Sequence, residues 1–240
     1  MAGGEAASHT APTMSDTSTS ASRRSAPAAP RRRRGRPAKL SREAIVAAAL
    51  ALLDREGAQA LTMRRLGGEL GVEAMSLYRH VADRAALLEG LADQLASEVE
   101  RRPRDEDWAD ALRGLASDLR AIARRHPAAF GLVAMRVLNT PNVLGPIEDS
   151  LAALRRGGFT PARAIFAHRL VTTYARGYAL AELEGFAIEV SADPRLPQVR
   201  SLSRRLASEP TEANFRTGLE TIIGGLRAER EALAEKEAAQ

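Results

Sequence analysis

No cysteine occurs in the 240 residues of this chain. That excludes disulfides, thiolate catalysis and cysteine-ligated zinc, and it fits a reducing compartment such as the cytoplasm. No stretch approaches the roughly 18 uninterrupted apolar residues that a membrane span requires. The N-terminal region lacks the apolar core of a secretory signal. Convincing strand pairs are missing too, "FAIEV" from Phe186 being the one strand-like stretch. There is no nucleophile–base pair, no metal-ligand spacing and no phosphate-cradling loop, which argues against an enzyme and against a cofactor. The four histidines, His9, His80, His126 and His168, are far apart in sequence, so no metal site is expected.

What the chain has is a basic arm and a great deal of helix. With 45% hydrophobic residues it is long enough for one or two domains with a proper core. Its net charge of +5 is unevenly held. Residues 1–40 contain eight cations and two acids, a net +6, which leaves −1 for residues 41–240. A near-neutral body with a concentrated basic arm points to a local polyanion contact, with nucleic acid or an anionic membrane surface as partner.

Residues 1–29 are Ala, Ser, Thr, Pro and Gly without apolar period, so the arm, taken as residues 1–38, is expected to be disordered. Organellar transit peptides share this Arg- and Ser-rich, acid-poor composition. The tight join between the arginines and the next helix argues against a removable segment.

From Ser41 onward the signal is helical. Ser41 suits an N-cap with Glu43 in the first turn, and Ile45, Ala48, Ala49, Leu52 and Leu53 recur at spacings of three and four until Gly57. A short piece follows, with Thr62 as cap and Leu66 and Leu70 one turn apart. After Gly71 comes "VEAMSLYRHV", in which Val72, Leu77 and Val81 point one way. Asp83 caps a longer segment carrying Leu87, Leu88, Leu91 and Leu95. Further helices are expected near 107–126, 127–137, 141–156, 161–188, 196–207 and 211–234, making the fold all-α.

Two short helices separated by a glycine turn, packed under a longer first helix, describe a helix-turn-helix. Gly71 supplies the left-handed backbone that the turn demands. Val72 and Leu77 would anchor the second helix and turn Glu73, Ala74, Met75, Ser76, Tyr78, Arg79 and His80 outward, ready for a major groove.

The segment "LTMRRLGGELGVEAMSLYRHVADRAALLEGLADQL", Leu61 to Leu95, resembles the DNA-binding region of the tetracycline repressor (TetR) family. The match runs from about Lys39 to Leu88, and 39–88 is taken as the DNA-binding domain. Gly67 stands where that family usually has alanine, at a cost of up to about 1 kcal/mol in helix propensity. The resemblance implies that Arg64 contacts a base edge and that Thr62, Ser76, Tyr78, His80 and Arg84 bind phosphates. It likewise implies that Ala74, Met75 and Arg79 set operator preference. These roles suit the chemistry, since hydroxyls and cations hold register while apolar and bidentate groups read bases. The alternatives are a core aromatic for Tyr78 and a local cap or packing role for His80.

Within the arm, "RGRP" (Arg34 to Pro37) resembles the core of an AT-hook, whose arginines, here Arg34 and Arg36, lie in a narrow minor groove. A solvated charge run is the alternative, above all for Arg31 and Arg32. Prolines interrupt the segment, which disfavours a membrane-surface helix.

The remainder, 89–235, resembles the family's tetracycline-repressor-type C-terminal domain, through "LAALRRGGFTPARAIFAHRLVTTYARGYALAELE" and "EANFRTGLETIIGGL". The resemblance implies a homodimer built on a four-helix bundle and a small-molecule site. Ala164, Ala167, Val171, Ala175 and Ala179 are expected on the dimer face of the long helix, and Phe215, Leu219, Ile222, Ile223 and Leu226 on that of the last; a buried core is the alternative for both. The pocket would draw on Leu95, Val99, Trp108, Leu112, Phe130, Met135, Asn139, Phe166, His168, Thr173, Tyr174, Tyr178 and Glu182, of which the polar members would orient a guest. Where tetracycline-binding members carry a magnesium-coordinating histidine this chain has residues 134–136, and Thr173 replaces their long-helix histidine. Tetracycline–magnesium is therefore not the expected inducer. The expected function is a ligand-released repressor on a palindromic operator. The alternative is a constitutive or architectural DNA-binding protein whose C-terminal half only dimerises.

Overall fold

Side-chain caps set several of the helix starts. The computed structural model describes residues 40–136, 139–185, 195–206 and 212–238, so the basic arm with Arg34 and Arg36 and the "FAIEV" stretch lie outside the described residues. Helix α1 spans Arg42–Glu56, opened by Ser41, whose Oγ accepts from the Ala44 amide at 3.2 Å. It ends at Gly57, where φ is +79° and the amide donates to the Leu53 carbonyl. A single 3-10 turn at Ala58–Ala60 leads to α2, Met63–Leu70, capped by the Thr62 hydroxyl. Helix α3 is Ala74–Leu77 and α4 is Arg84–Ala96, the latter opened by Asp83 accepting from the Ala86 amide at 2.8 Å.

Helices α5 (Trp108–Arg125), α6 (Pro127–Val133), α7 (Pro141–Arg156), α8 (Pro161–Glu184), α9 (Pro197–Ser201), α10 (Ser203–Leu206) and α11 (Glu212–Ala238) follow, with no strand among the described residues. Proline opens α6, α7, α8 and α9, where its missing amide proton costs nothing. The expected 196–207 helix is two short helices, and α8 stops at Glu184 because Gly185 takes a φ of +82°.

Helices α1, α2, α3 and α4 enclose Ile45, Leu53, Leu66, Leu77, Val81, Leu87 and Leu91, all essentially inaccessible. Helix α4 lies close on α1: a Cβ on Gly90 would meet Val46 Cγ2 at 2.5 Å. Helix α8 packs most extensively on α5, and here one expectation needs correction. Ala164, Ala167, Val171, Ala175 and Ala179 are buried inside the protomer, not offered to a second copy. Short side chains at this spacing let two helix backbones approach closely, and α5 takes that place. Phe215, Leu219, Ile223 and Leu226 of α11 are buried in the same core, with Ile222 partly covered.

Candidate nucleic-acid interface and candidate effector cavity

The turn between α2 and α3 follows from its glycines. Gly71 adopts φ +67°, its amide donates to the Gly68 carbonyl, and the Val72 amide donates to the Gly67 carbonyl at 2.9 Å. This paired arrangement satisfies two carbonyls that the end of α2 leaves open. It throws α3 sharply off the axis of α2. Regular helix in α3 is a single turn, shorter than expected, though turns carry it on and the Val81 amide reaches the Leu77 carbonyl at 3.0 Å. Leu77 is fully buried and Val72 partly, which seats α3 on the core.

The other residues of α3 and of the turn after it are partly or fully exposed. Met75 is 74% exposed and Tyr78 43% exposed, so Tyr78 is not a core aromatic. Glu73, Arg79, His80 and Arg84 are exposed, and Ala74 and Ser76 are half-buried. His80 lies near enough to Glu43 to act on it: that carboxyl sits below its usual range through its own amide, Ser41, Arg42 and, last, His80. Arg64 projects from α2 and, like Arg79 and Arg84, forms no ion pair among the described residues. Its neighbour Arg65 is engaged. It holds Glu56 of α1 at 2.5 Å and Glu69 at 3.0 Å, while Arg55 also reaches Glu69, a lattice tying α2 to α1. Thr62 Oγ accepts from the Arg65 amide, which leaves its hydroxyl proton free to donate.

A second feature lies in the C-terminal half. A cavity of about 100 Å³ is walled by Leu95, Val99, Leu115, Leu119, Phe130 and Pro146, among others. Polar groups enter it from α8 as His168, Thr172 and Arg176, and Arg136 and Asn142 complete the lining. Ser150 donates to the Ile147 carbonyl at 2.8 Å, so its oxygen accepts from His168 Nδ1 at 2.7 Å and the ring proton is assigned to Nδ1. Burial pushes His168 down to about 4, with Arg176 and Arg169 adding to the shift. Burial also lowers Arg176.

Of the residues expected around a ligand, Leu95, Val99, Phe130 and His168 line this cavity, and the others do not. Trp108 packs edge-on against Phe159 with centroids 4.9 Å apart and lies against Gly157, at the turn between α7 and α8. Leu112 is inaccessible core. Met135, Asn139, Phe166 and Thr173 are exposed. Tyr174 stacks on Phe215 and donates to its carbonyl at 2.9 Å, and Tyr178 meets the same ring edge-on. Glu182 is taken by Arg120, whose Nε and Nη2 donate at 2.7 and 2.6 Å; Glu212 accepts from Nη1. Arg120, only 5% exposed, also lies 4.8 Å over the Phe215 ring. Trp108, Tyr174, Tyr178 and Glu182 are thus engaged with other side chains of the protomer, outside the cavity lining. Sequence reasoning missed Arg176, Thr172 and Ser150. A spacing of four along one helix, from His168 through Thr172 to Arg176, was the available signal.

Among the described residues no cluster of three metal-binding side chains occurs, and no helix is long and apolar enough to cross a membrane.

Comparison with known proteins agrees with this geometry. Residues 45–91 match the family model for bacterial regulatory proteins of the tetR family, and residues 102–230 match that for the tetracyclin repressor-like C-terminal domain. An HTH-type transcriptional regulator of Saccharopolyspora erythraea is 32% identical over 79% of this chain and 85% of its own length. The HTH-type transcriptional repressor DrrR1 of Streptomyces coeruleorubidus is 30% identical, over 80% of this chain and 79% of its own length. Among solved structures, the TetR family protein ActR of Streptomyces coelicolor in complex with actinorhodin superposes with a TM-score of 0.69. It is 30% identical, over 80% of this chain and 97% of that one. With a helix-turn-helix at one end and a tetracyclin repressor-like helical domain at the other, this chain belongs to the TetR family of bacterial transcriptional regulators and is not an enzyme.

Proposed function

We propose that this protein is a cytoplasmic, ligand-released repressor that binds a palindromic operator as a homodimer. Residues 39–88 would be the DNA-binding domain, 89–235 the effector and dimerisation domain, and 1–38 a basic arm that follows the minor groove. The observation that carries the reading is α4. Its N-terminal half packs in the core that seats α3, and its C-terminal half, with Ala92, Leu95 and Ala96, walls the cavity. One rigid element thus borders both sites.

On DNA, α3 would enter the major groove. Met75, Ala74 and Arg79 meet base edges, Arg64 adds a base contact from α2, and Thr62, Ser76, Tyr78, His80 and Arg84 hold phosphates. Two copies would meet through the outer faces of α8 and α11. Ile165, Phe166 and Leu170 are exposed on α8, and Gly224 and Gly225 on α11 have open space around them. That pairing would set two α3 helices roughly 34–36 Å apart, one DNA turn.

The cavity is well below the roughly 300–1,000 Å³ of sites for drug-sized ligands. An effector would therefore have to push its walls apart. Displacing α4 changes the spacing of the two reading helices, and operator affinity falls by the coupling energy, commonly about 1–3 kcal/mol.

Selection of bound fragments from genomic DNA tests the reading. Recovery of an inverted repeat with half-sites one turn apart is expected. Equal recovery of arbitrary duplex overturns sequence-specific regulation, and an operator complex that no effector dissociates points to constitutive binding instead.

A further inference from the structure

The cavity has a one-sided charge. Its lining contains two cations, Arg136 and Arg176, and no acid. Asp93, which accepts from the lining residue Asn142 at 3.0 Å, is also occupied by Thr140. Arg176 lies on α8 deep enough that burial lowers its pKa, yet no carboxylate or carbonyl among the described residues accepts from it. Elsewhere in this fold the buried or half-buried guanidiniums are matched. Arg120 has Glu182 and Glu212, Arg102 has Asp118, and Arg113 has Glu220 at 2.7 Å. A guanidinium carries five donors in a planar fork suited to a carboxylate, and leaving it desolvated without a partner is costly.

His168 supplies the complement. Because its Nδ1 proton goes to Ser150, the neutral ring keeps Nε2 as an acceptor. Arg136 is exposed and also unpaired among the described residues, so the cation withdrawn from solvent is Arg176. Apolar walls, this desolvated cation and one acceptor describe a guest with a flat or compact hydrocarbon body and an acidic head.

On the reading that this cavity is the effector site, we infer that its ligand is an apolar small molecule bearing an anionic oxygen group, a carboxylate or ionised phenol, held by Arg176. The hydrocarbon body lies against Leu115, Leu119 and Phe130, and a hydroxyl on it donates to His168.

Titration of the full-length protein at neutral pH with 2-naphthoate and with the neutral, isosteric 2-naphthamide, followed by naphthalene fluorescence, tests this. The acid is expected to bind about tenfold more tightly than the amide. Arg176→Met, checked for a cooperative melt, brings the ratio to about one, and Arg176→Lys, which keeps the charge should the methionine variant fail to fold, retains a preference for the acid. Equal binding of the two probes by the wild type, binding of neither at millimolar concentration, or loss of the preference in Arg136→Ala in place of Arg176→Met overturns the inference. Operator release is read in parallel. Acid-selective binding without release would sink the effector reading and leave the anion site standing. Release by acid and amide alike would do the reverse.

Discussion

Gly67 and Val72 touch through their backbones: a Cβ placed on Gly67 would lie 2.8 Å from the Val72 carbonyl oxygen and 3.2 Å from the Ala74 amide nitrogen. Helix propensity alone makes this glycine a small liability, and the close approach of α2 to the start of α3 supplies its reason. Gly67→Ala gains up to about 1 kcal/mol in propensity and meets backbone that has no flexible end to move. A net loss of about 1 kcal/mol and weaker operator binding are expected by urea unfolding and fluorescence anisotropy. Gly68 has nothing within 4 Å of its would-be Cβ. Gly68→Ala should therefore stabilise, and equal effects at the two positions would remove the steric argument.

Arg64→Ala should relax preference at one position in each half-site, with a discrimination loss of about 1–3 kcal/mol there. Binding to a set of operator variants reads this directly. Unchanged discrimination would leave Arg64 without a base to read.

Deleting residues 31–36 should weaken binding to every duplex and flatten the dependence of log K on log salt by roughly 0.9 for each phosphate the arm had neutralised. An identical slope would show that the arm neutralises no phosphate.

Arg120→Met strands the half-buried Glu182 carboxylate beside an apolar side chain and should cost about 3 kcal/mol in chemical denaturation. Combining it with Glu182→Met removes the stranded charge and should recover much of that loss. If the single variant is as stable as the parent, the pair contributes nothing to folding.

His168 links stability to pH. Its folded value of about 4 lies below the ordinary 6.5, so between those pH values the unfolded chain binds a proton that the folded chain refuses. The contribution is complete above about pH 6.5 and is lost as pH falls toward 4, with a slope approaching about 1.4 kcal/mol per pH unit. His168→Gln should remove that component from the pH dependence of the melting temperature, and parallel curves for variant and parent would refute it.

The recognition region was legible because its constraints are local. Ser41, Thr62 and Asp83 cap helices through amides three residues on, and Gly71 turns because only a left-handed residue permits the bend. The cavity was not. Trp108, Tyr174, Tyr178 and Glu182 have the residue types of a binding site, but such types serve equally in a core. Their partners Phe159, Phe215 and Arg120 come from distant parts of the chain, 41 positions away for the Tyr174 hydrogen bond and 62 for Glu182, beyond any local period.

Helix periodicity, caps and glycine punctuation, all readable within a few residues, determined the all-α fold, the helix-turn-helix and its outward side chains. Which face of α8 is buried, which cavity-lining arginine is desolvated without a carboxylate and which aromatics are already stacked was decided only when distant helices met. Small residues at helical spacing state that some helix will come close; only packing of the whole chain selects which one.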